Sequence, residues 1–111
     1  MEEKLWKASS KGKVKHVQKL LQNSQININW QKFGLERTPF YIACEKGHIE
    51  IVKLLLNDKR IDINKPNKHY KTPLLVACKK GHIEIVKLLL NDQRVDVNKR
   101  DDEDPEGKFY L

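Results

Sequence analysis

The sequence is poor in the residues on which small catalytic and disulfide-stabilised proteins depend. Its 111 residues include two cysteines, five glycines, four prolines and one methionine. Two cysteines do not make a disulfide framework, and the glycines never cluster into a phosphate-binding loop. No apolar run is long enough to span a bilayer, and Met1 to Lys4 lack the start of a signal peptide. We therefore expect a cytoplasmic or nuclear protein that does not insert into membranes.

No set of side chains indicates a reaction or a metal site. The three serines all lie in the first 24 residues and have no nucleophile–base pattern. Cys44 and Cys78, like His48 and His82, recur 34 residues apart, which matches no zinc spacing. The acidic residues of 101–106 lack the spacing of a calcium loop. We interpret the cysteines as small core residues and the histidines as turn residues, and we expect no catalysis, metal or cofactor.

The chain does contain a long internal repeat. The segments Thr38–Asn64 and Thr72–Asn98 are offset by 34 residues and differ at seven of 27 paired positions, three of which are Ile/Val exchanges. A fixed period in this range is typical of one supersecondary unit stacked on copies of itself.

Each copy predicts a short first helix. Threonine followed by proline favours a helix start, because the hydroxyl can accept a hydrogen bond from the first turn and proline needs no partner there. The helices are expected to end near Lys46 and Lys80, where Gly47 and Gly81 can adopt the left-handed conformation of a helix terminus.

A second helix follows in each copy, over Ile49–Leu56 and Ile83–Leu90. In the first of these, Glu50, Lys53 and Asn57 form one narrow polar stripe and the rest of the surface is apolar. Such a helix must be sandwiched between neighbours. The alternating Ile-Asp-Ile-Asn that comes next predicts a short extended connector.

Thr-Pro-aliphatic, Ala, Gly-His, Ile-Val-Lys-Leu-Leu-Leu and Asp-Ile-Asn together resemble the ankyrin repeat. The resemblance covers roughly residues 3 to 100. It implies an all-α repeat solenoid of stacked helix-turn-helix units with projecting β-hairpin loops. It also implies a role in protein–protein binding.

The sequence departs from the family pattern at several places. The period is 34 instead of 33, and the extra residue lies in 59–61, where the family usually has Gly-Ala. Tyr41 and Leu75 stand where the family has a histidine that supports hydrogen bonds between repeats. Glu36 and Tyr70 stand at the usual hairpin glycine.

The pattern divides the chain into three repeats and a tail. Residues 3–35 form a degraded N-terminal capping repeat, because polar residues such as His16 and Lys19 occupy positions that are apolar in the later copies. Repeat 2 spans 36–69 and repeat 3 spans 70–100. Residues 101–111 are an acidic tail or the start of a truncated fourth repeat, since Phe109-Tyr110-Leu111 resembles Phe40-Tyr41-Ile42. We hypothesise that residues 109–111 fold back as a cap on repeat 3.

Charge indicates the kind of partner. The net charge is +7, made up of +11 over residues 1–100 and −4 over residues 101–111. Basic surfaces attract acidic proteins and nucleic acid. In this family partners contact the inner helix ends and hairpin tips, which implies the positions Ser10, Lys11, Leu35, Arg37, Glu45, Lys46, Lys68, His69, Tyr70, Lys71, Lys79 and Lys80.

The favoured interpretation is a monomeric interaction module that binds an acidic protein surface or peptide in a concave groove. Two alternatives stay open. The same basic groove could bind nucleic acid, although the sequence has no nucleic-acid motif. The chain could also be the binding fragment of a larger multi-repeat protein.

Overall fold

Three helix pairs stacked side by side make up the fold. The computed structural model describes residues 1–97, so the expectations for residues 98–111, including the hypothetical cap, lie outside the described residues. The helices are α1 (Glu2–Lys11), α2 (Val14–Leu21), α3 (Pro39–Lys46), α4 (Ile49–Leu56), α5 (Pro73–Lys79) and α6 (Ile83–Leu90). The inner helices α1, α3 and α5 pack in one row and the outer helices α2, α4 and α6 in a second. The predicted all-α repeat architecture is confirmed.

The helix starts form as the sequence predicts. Thr38 Oγ1 accepts a hydrogen bond from Tyr41 N at 2.9 Å, and Thr72 Oγ1 accepts one from Leu75 N at 3.2 Å. Gly47 ends α3 in the left-handed region with φ 80°. In the first repeat, α1 has no side-chain cap.

None of the helices in the described part of the chain is long and apolar enough to cross a membrane.

The outer helices are sandwiched as predicted. In α4 the three polar-stripe residues are exposed, whereas all the apolar side chains are buried or half-buried; these are Ile49, Ile51, Val52, Leu54, Leu55 and Leu56. Helix α4 contacts α2 on one side and α6 on the other. Its apolar surface is thus covered by its own inner helix and by two neighbouring repeats.

The connector after α4 is only partly extended. Ile61 and Ile63 are buried and Asp62 is exposed, so the predicted alternation is confirmed in burial. Residues 63–64 form a turn instead of extended chain. The reason is local: Asp62 Oδ1 accepts a hydrogen bond from Asn64 N at 3.1 Å, a bond by which aspartate favours a turn.

Asparagines join one connector to the next. Asn29 donates from Nδ2 to Arg60 O at 2.8 Å and accepts from Asp62 N at 2.8 Å. Asn64 repeats both bonds with Arg94 O and Asp96 N. Each amide therefore satisfies one backbone acceptor and one backbone donor of the next repeat.

The extra residue of the 34-residue period lies in the segment 59–61. This segment contains Arg60, whose side chain forms hydrogen bonds with the preceding repeat. Arg60 Nη2 donates to Leu21 O and Nη1 to Asn23 O, both at 2.9 Å, while its Nε and Nη2 hold Asp58 at 2.9 and 2.8 Å. Leu21 is the last residue of α2. The guanidinium thus satisfies a carbonyl that a helix end otherwise leaves without an intrahelical partner.

The two loops that project between repeats keep their turn geometry without glycine at the usual position. Glu36 has φ 57° and Tyr70 has φ 63°, both in the left-handed region. The first loop closes with an antiparallel bridge between Lys32 and Arg37. In the second loop, Asn67 N donates to Lys71 O at 2.9 Å. Within residues 1–97 these loops form turns and one bridge instead of extended hairpin ladders.

Candidate functional site

The predicted contact positions lie in two sets of structural elements. We call these twelve positions together the inner surface. Ser10 and Lys11 lie at the end of α1, Glu45 and Lys46 end α3, and Lys79 ends α5 with Lys80 as its C-cap. The other six lie in the loops 32–37 and 67–71. Because the three inner helices pack in one row, their C-terminal ends are neighbours.

Backbone hydrogen bonds hold the inner surface together. Lys68 N donates to Leu35 O at 2.8 Å, which joins the second loop to the first. His48 Nε2 lies 2.9 Å from Ser10 O, and His82 Nε2 lies 2.9 Å from Glu45 O. Each histidine therefore ties its own repeat to the inner helix of the preceding repeat, which confirms the interpretation of the histidines as structural turn residues.

Arg37 and Glu45 pair with each other. Arg37 Nη1 lies 2.9 Å from Glu45 Oε1, and both side chains are largely buried. The guanidinium also stacks over the Trp6 ring with 5.6 Å to the centroid, and Trp6 Nε1 donates to Arg37 O at 3.0 Å. These contacts orient the first loop against α1 and α3, so this arginine supports the surface as well as lining it.

Five lysines give the inner surface its exposed positive charge: Lys11, Lys46, Lys68, Lys79 and Lys80. Three exposed apolar side chains lie in the loops 32–37 and 67–71. Tyr70 is 64% exposed, Leu35 is 46% exposed and Phe33 is 96% exposed. We call these three the loop tips. A fully exposed phenylalanine at the tip of a turn is uncommon, because large apolar side chains are more stable when they are buried away from water.

Phe33 is a candidate contact that the sequence reasoning missed. Its signal was present: Phe33-Gly34-Leu35 places two large apolar residues around a glycine in a loop that is otherwise polar. Gly34 has φ 118° and an added Cβ there would meet nothing within 4 Å. Gly34 thus lies in an open turn in which the side chains of Phe33 and Leu35 are exposed to solvent.

Tyr41 takes part in the hydrogen bonding between α3 and the next loop. Its hydroxyl accepts a hydrogen bond from Asn67 Nδ2 at 3.2 Å. Asn67 also accepts from His69 N and Lys71 N through its side-chain oxygen. The tyrosine at the family's histidine position therefore anchors the asparagine that shapes the second loop.

The two cysteines lie outside the inner surface and are held as neutral thiols. Burial raises the pKa of the Cys44 thiol, and to a smaller extent that of Cys78, so both are held as thiols. Both cysteines are free. Among residues 1–97, no three or more His, Cys, Asp or Glu side chains group closely enough to hold a metal ion.

Comparison with known protein families gives the identity of the fold. The family described as ankyrin repeats, in three copies, matches residues 5–101. The match covers most of the chain and includes α1 from residue 5 and all of α2 to α6. Ankyrin repeats are protein–protein interaction modules. On this match and on the stacked helix pairs, the chain belongs to the ankyrin-repeat family.

Proposed function

We propose that the inner surface binds an acidic segment of another protein. The observation that supports this proposal is that the two loops and the ends of the inner helices expose both apolar loop tips and lysines. Binding hot spots are commonly aromatic side chains surrounded by polar contacts that exclude water. Phe33 and Tyr70 fit the aromatic role, and Lys46, Lys68 and Lys80 fit the charged rim.

The two components make different contributions. Covering a phenylalanine as exposed as Phe33 would gain on the order of 2 kcal/mol from apolar burial. Each rim lysine contributes at most about 1 kcal/mol, and salt screens that contribution over about 8–10 Å. We therefore expect the loop tips to set the lifetime of the complex, and the lysines to set its association rate and salt dependence.

The test uses two variants with the same change of charge. The inner variant replaces Lys46, Lys68 and Lys80 with glutamine; the outer variant replaces Lys53, Lys59 and Lys87, which are also exposed. Proteins captured from extract by the wild-type chain are identified by mass spectrometry, and their affinities for all three chains are measured at low and moderate salt.

The proposal predicts that the captured protein binds the outer variant as it binds wild type, and binds the inner variant about tenfold or more weakly. Phe33→Ser should weaken binding with little change in salt dependence, since it removes no charge. Equal affinity for the inner and outer variants would overturn the proposed location. Displacement of the protein by heparin and by arbitrary duplex DNA alike would favour the nucleic-acid alternative.

A binding role without catalysis, exerted by a monomer in the cytoplasm or nucleus, completes the proposal. Two free thiols, one of them fully buried, are consistent with a reducing compartment. Sedimentation of the isolated chain at micromolar concentration tests the monomeric state.

A further inference from the structure

The end of the stack opposite α5 and α6 contains a cationic concavity that the proposed protein-binding role does not use. It has a volume of about 300 Å³ and lies between α1 and the start of α2. We call it the N-terminal pocket; its lining residues are Lys4, Lys7, Ala8, Lys11, Lys13 and His16. Of these only Lys11 belongs to the inner surface.

Helix geometry explains why the lysines converge. Lys4, Lys7 and Lys11 are spaced three and four apart on α1, so they share one face of that helix. Ala8 lies between them, and its short side chain leaves the space that the longer lysine side chains surround. Lys13 is the N-cap of α2 and completes the set from the second helix.

The positive charge of the pocket is offset by few nearby acids. Residues 4–35 contain seven lysines and no aspartate or glutamate. Of the two acids that precede them, Glu3 forms its ion pair with Lys32 at 2.6 Å and interacts only at longer range with Lys7, and Glu2 accepts from Asn27 N at 2.9 Å. Among residues 1–97 none of the four pocket lysines forms an ion pair.

Capping the stack requires a polar face, but it does not require charge of one sign. A mixture of glutamate and lysine at these spacings would have stabilised α1, whereas like charges three and four apart destabilise a helix. The opposite side of α1 buries Leu5 and Ser9 against the rest of the protein, so the lysines are confined to the outward face. A bound anion would relieve their mutual repulsion.

We propose that the N-terminal pocket binds a compact anion that carries several phosphate groups, of the kind that inositol polyphosphates present. The pocket volume is at the lower end of the range for small-molecule sites. Lysine ammonium groups bind phosphate oxygens as point charges with three donors each. The same chemistry occurs in free inositol phosphates and in the head groups of phosphoinositide lipids.

Calorimetric titration with myo-inositol hexakisphosphate in 150 mM salt tests the pocket. The pocket variant replaces Lys4, Lys7 and Lys13 with glutamine, and the inner variant described above is the control with the same change of charge. All six lysines are exposed, so both variants should keep wild-type helix content by circular dichroism. We expect one anion bound per chain. The affinity should fall about 20-fold or more in the pocket variant, roughly threefold per lysine, and less than threefold in the control.

Vesicles distinguish the two sources of the anion. The chain is mixed with phosphatidylcholine vesicles containing either phosphatidylinositol bisphosphate or phosphatidylserine at equal total charge. Selective binding to the former, competed by the free hexakisphosphate, assigns a lipid head group; binding of the free anion alone assigns a soluble ligand. Equal weakening in both lysine variants, no binding of the hexakisphosphate, or equally tight binding to both kinds of vesicle would overturn the proposal. Because the two variants separate the surfaces, this result is independent of the protein-binding test.

Discussion

Arg60 offers the sharpest test of how neighbouring repeats are held together. We consider Arg60→Met, which keeps a long apolar stem and removes the guanidinium. The change eliminates the hydrogen bonds at 2.9 Å to Leu21 O and Asn23 O and a longer one at 3.5 Å to Ile26 O. It also leaves the Asp58 carboxylate without its guanidinium partner.

The magnitude follows from these contacts. The Arg60 side chain is 33% exposed, so each short charged hydrogen bond to a carbonyl is discounted to about 1 kcal/mol. The interaction of the cation with the C-terminus of α2 adds about 0.3–1 kcal/mol. The pair with Asp58 is local and partly solvated, so its contribution is small. The expected loss is about 2 kcal/mol of unfolding free energy.

Arg94 supplies an internal comparison. It holds Asp92 in the same way, but its side chain is 44% exposed and it donates to one carbonyl, Leu56 O at 2.9 Å. Arg94→Met should therefore cost about 1 kcal/mol. Lys59→Met is the control, because Lys59 is an exposed basic residue beside Arg60.

Urea denaturation followed by circular dichroism measures all three variants against wild type. The expected order of destabilisation is Arg60→Met, then Arg94→Met, then Lys59→Met, with an unchanged slope in urea. An Arg60→Met midpoint equivalent to less than about 0.5 kcal/mol of loss would refute the reasoning. So would a larger loss at Arg94, because it has fewer carbonyl partners.

Three further predictions test other contacts by the same measurement. Gly47→Ala should cost about 3 kcal/mol of unfolding free energy and Gly81→Ala about 1 kcal/mol. Both glycines adopt the left-handed conformation, but only at Gly47 would an added Cβ clash, since it would lie 2.7 Å from the His82 ring. Equal costs would contradict the close packing of Gly47 against His82. Ser9→Ala should leave stability unchanged or raise it by up to about 1 kcal/mol, because the buried Ser9 Oγ has no hydrogen-bond partner among residues 1–97; a larger loss would reveal one. The hydrogen bonds from the Arg60 guanidinium lower the pKa of Asp58 in the folded protein. The ionised Asp58 therefore stabilises the fold above the unfolded pKa of about 3.9, and this stabilisation is lost as pH falls through the lower folded pKa. Asp58→Asn should flatten the dependence of stability on pH below about pH 4.

The helices could be predicted because each has a local cause in the sequence. Threonine and proline fix the starts of α3 and α5, and the apolar pattern fixes α4 and α6 with the bounds that the structure shows. The burial of the connectors followed from their alternation. Local signals repeated twice in one chain leave little choice of architecture.

The loops could not be predicted because their geometry depends on contacts between repeats. Glu36 and Tyr70 adopt the left-handed conformation, although neither residue type favours it. The second loop is shaped by Asn67, which donates a hydrogen bond to the hydroxyl of Tyr41, 26 residues earlier in the sequence. Likewise the sequence analysis did not connect the lysines at 4, 7, 11 and 13, and only the packing of α1 beside α2 shows that they line one concavity.

Residues that the two copies share include those that join the repeats. His48 and His82 bond to the preceding inner helix, and Arg60 and Arg94 bond to the preceding outer helix. The outer helices α4 and α6 are identical over all eight residues. Acidic Glu45, by contrast, is replaced by basic Lys79 at the equivalent position on the inner surface. At this position the two copies differ in charge, whereas the histidines and arginines that bond to the preceding repeat are the same in both. Any difference in binding between repeats 2 and 3 should therefore arise at the inner surface and in the loops, since the outer helices cannot provide one.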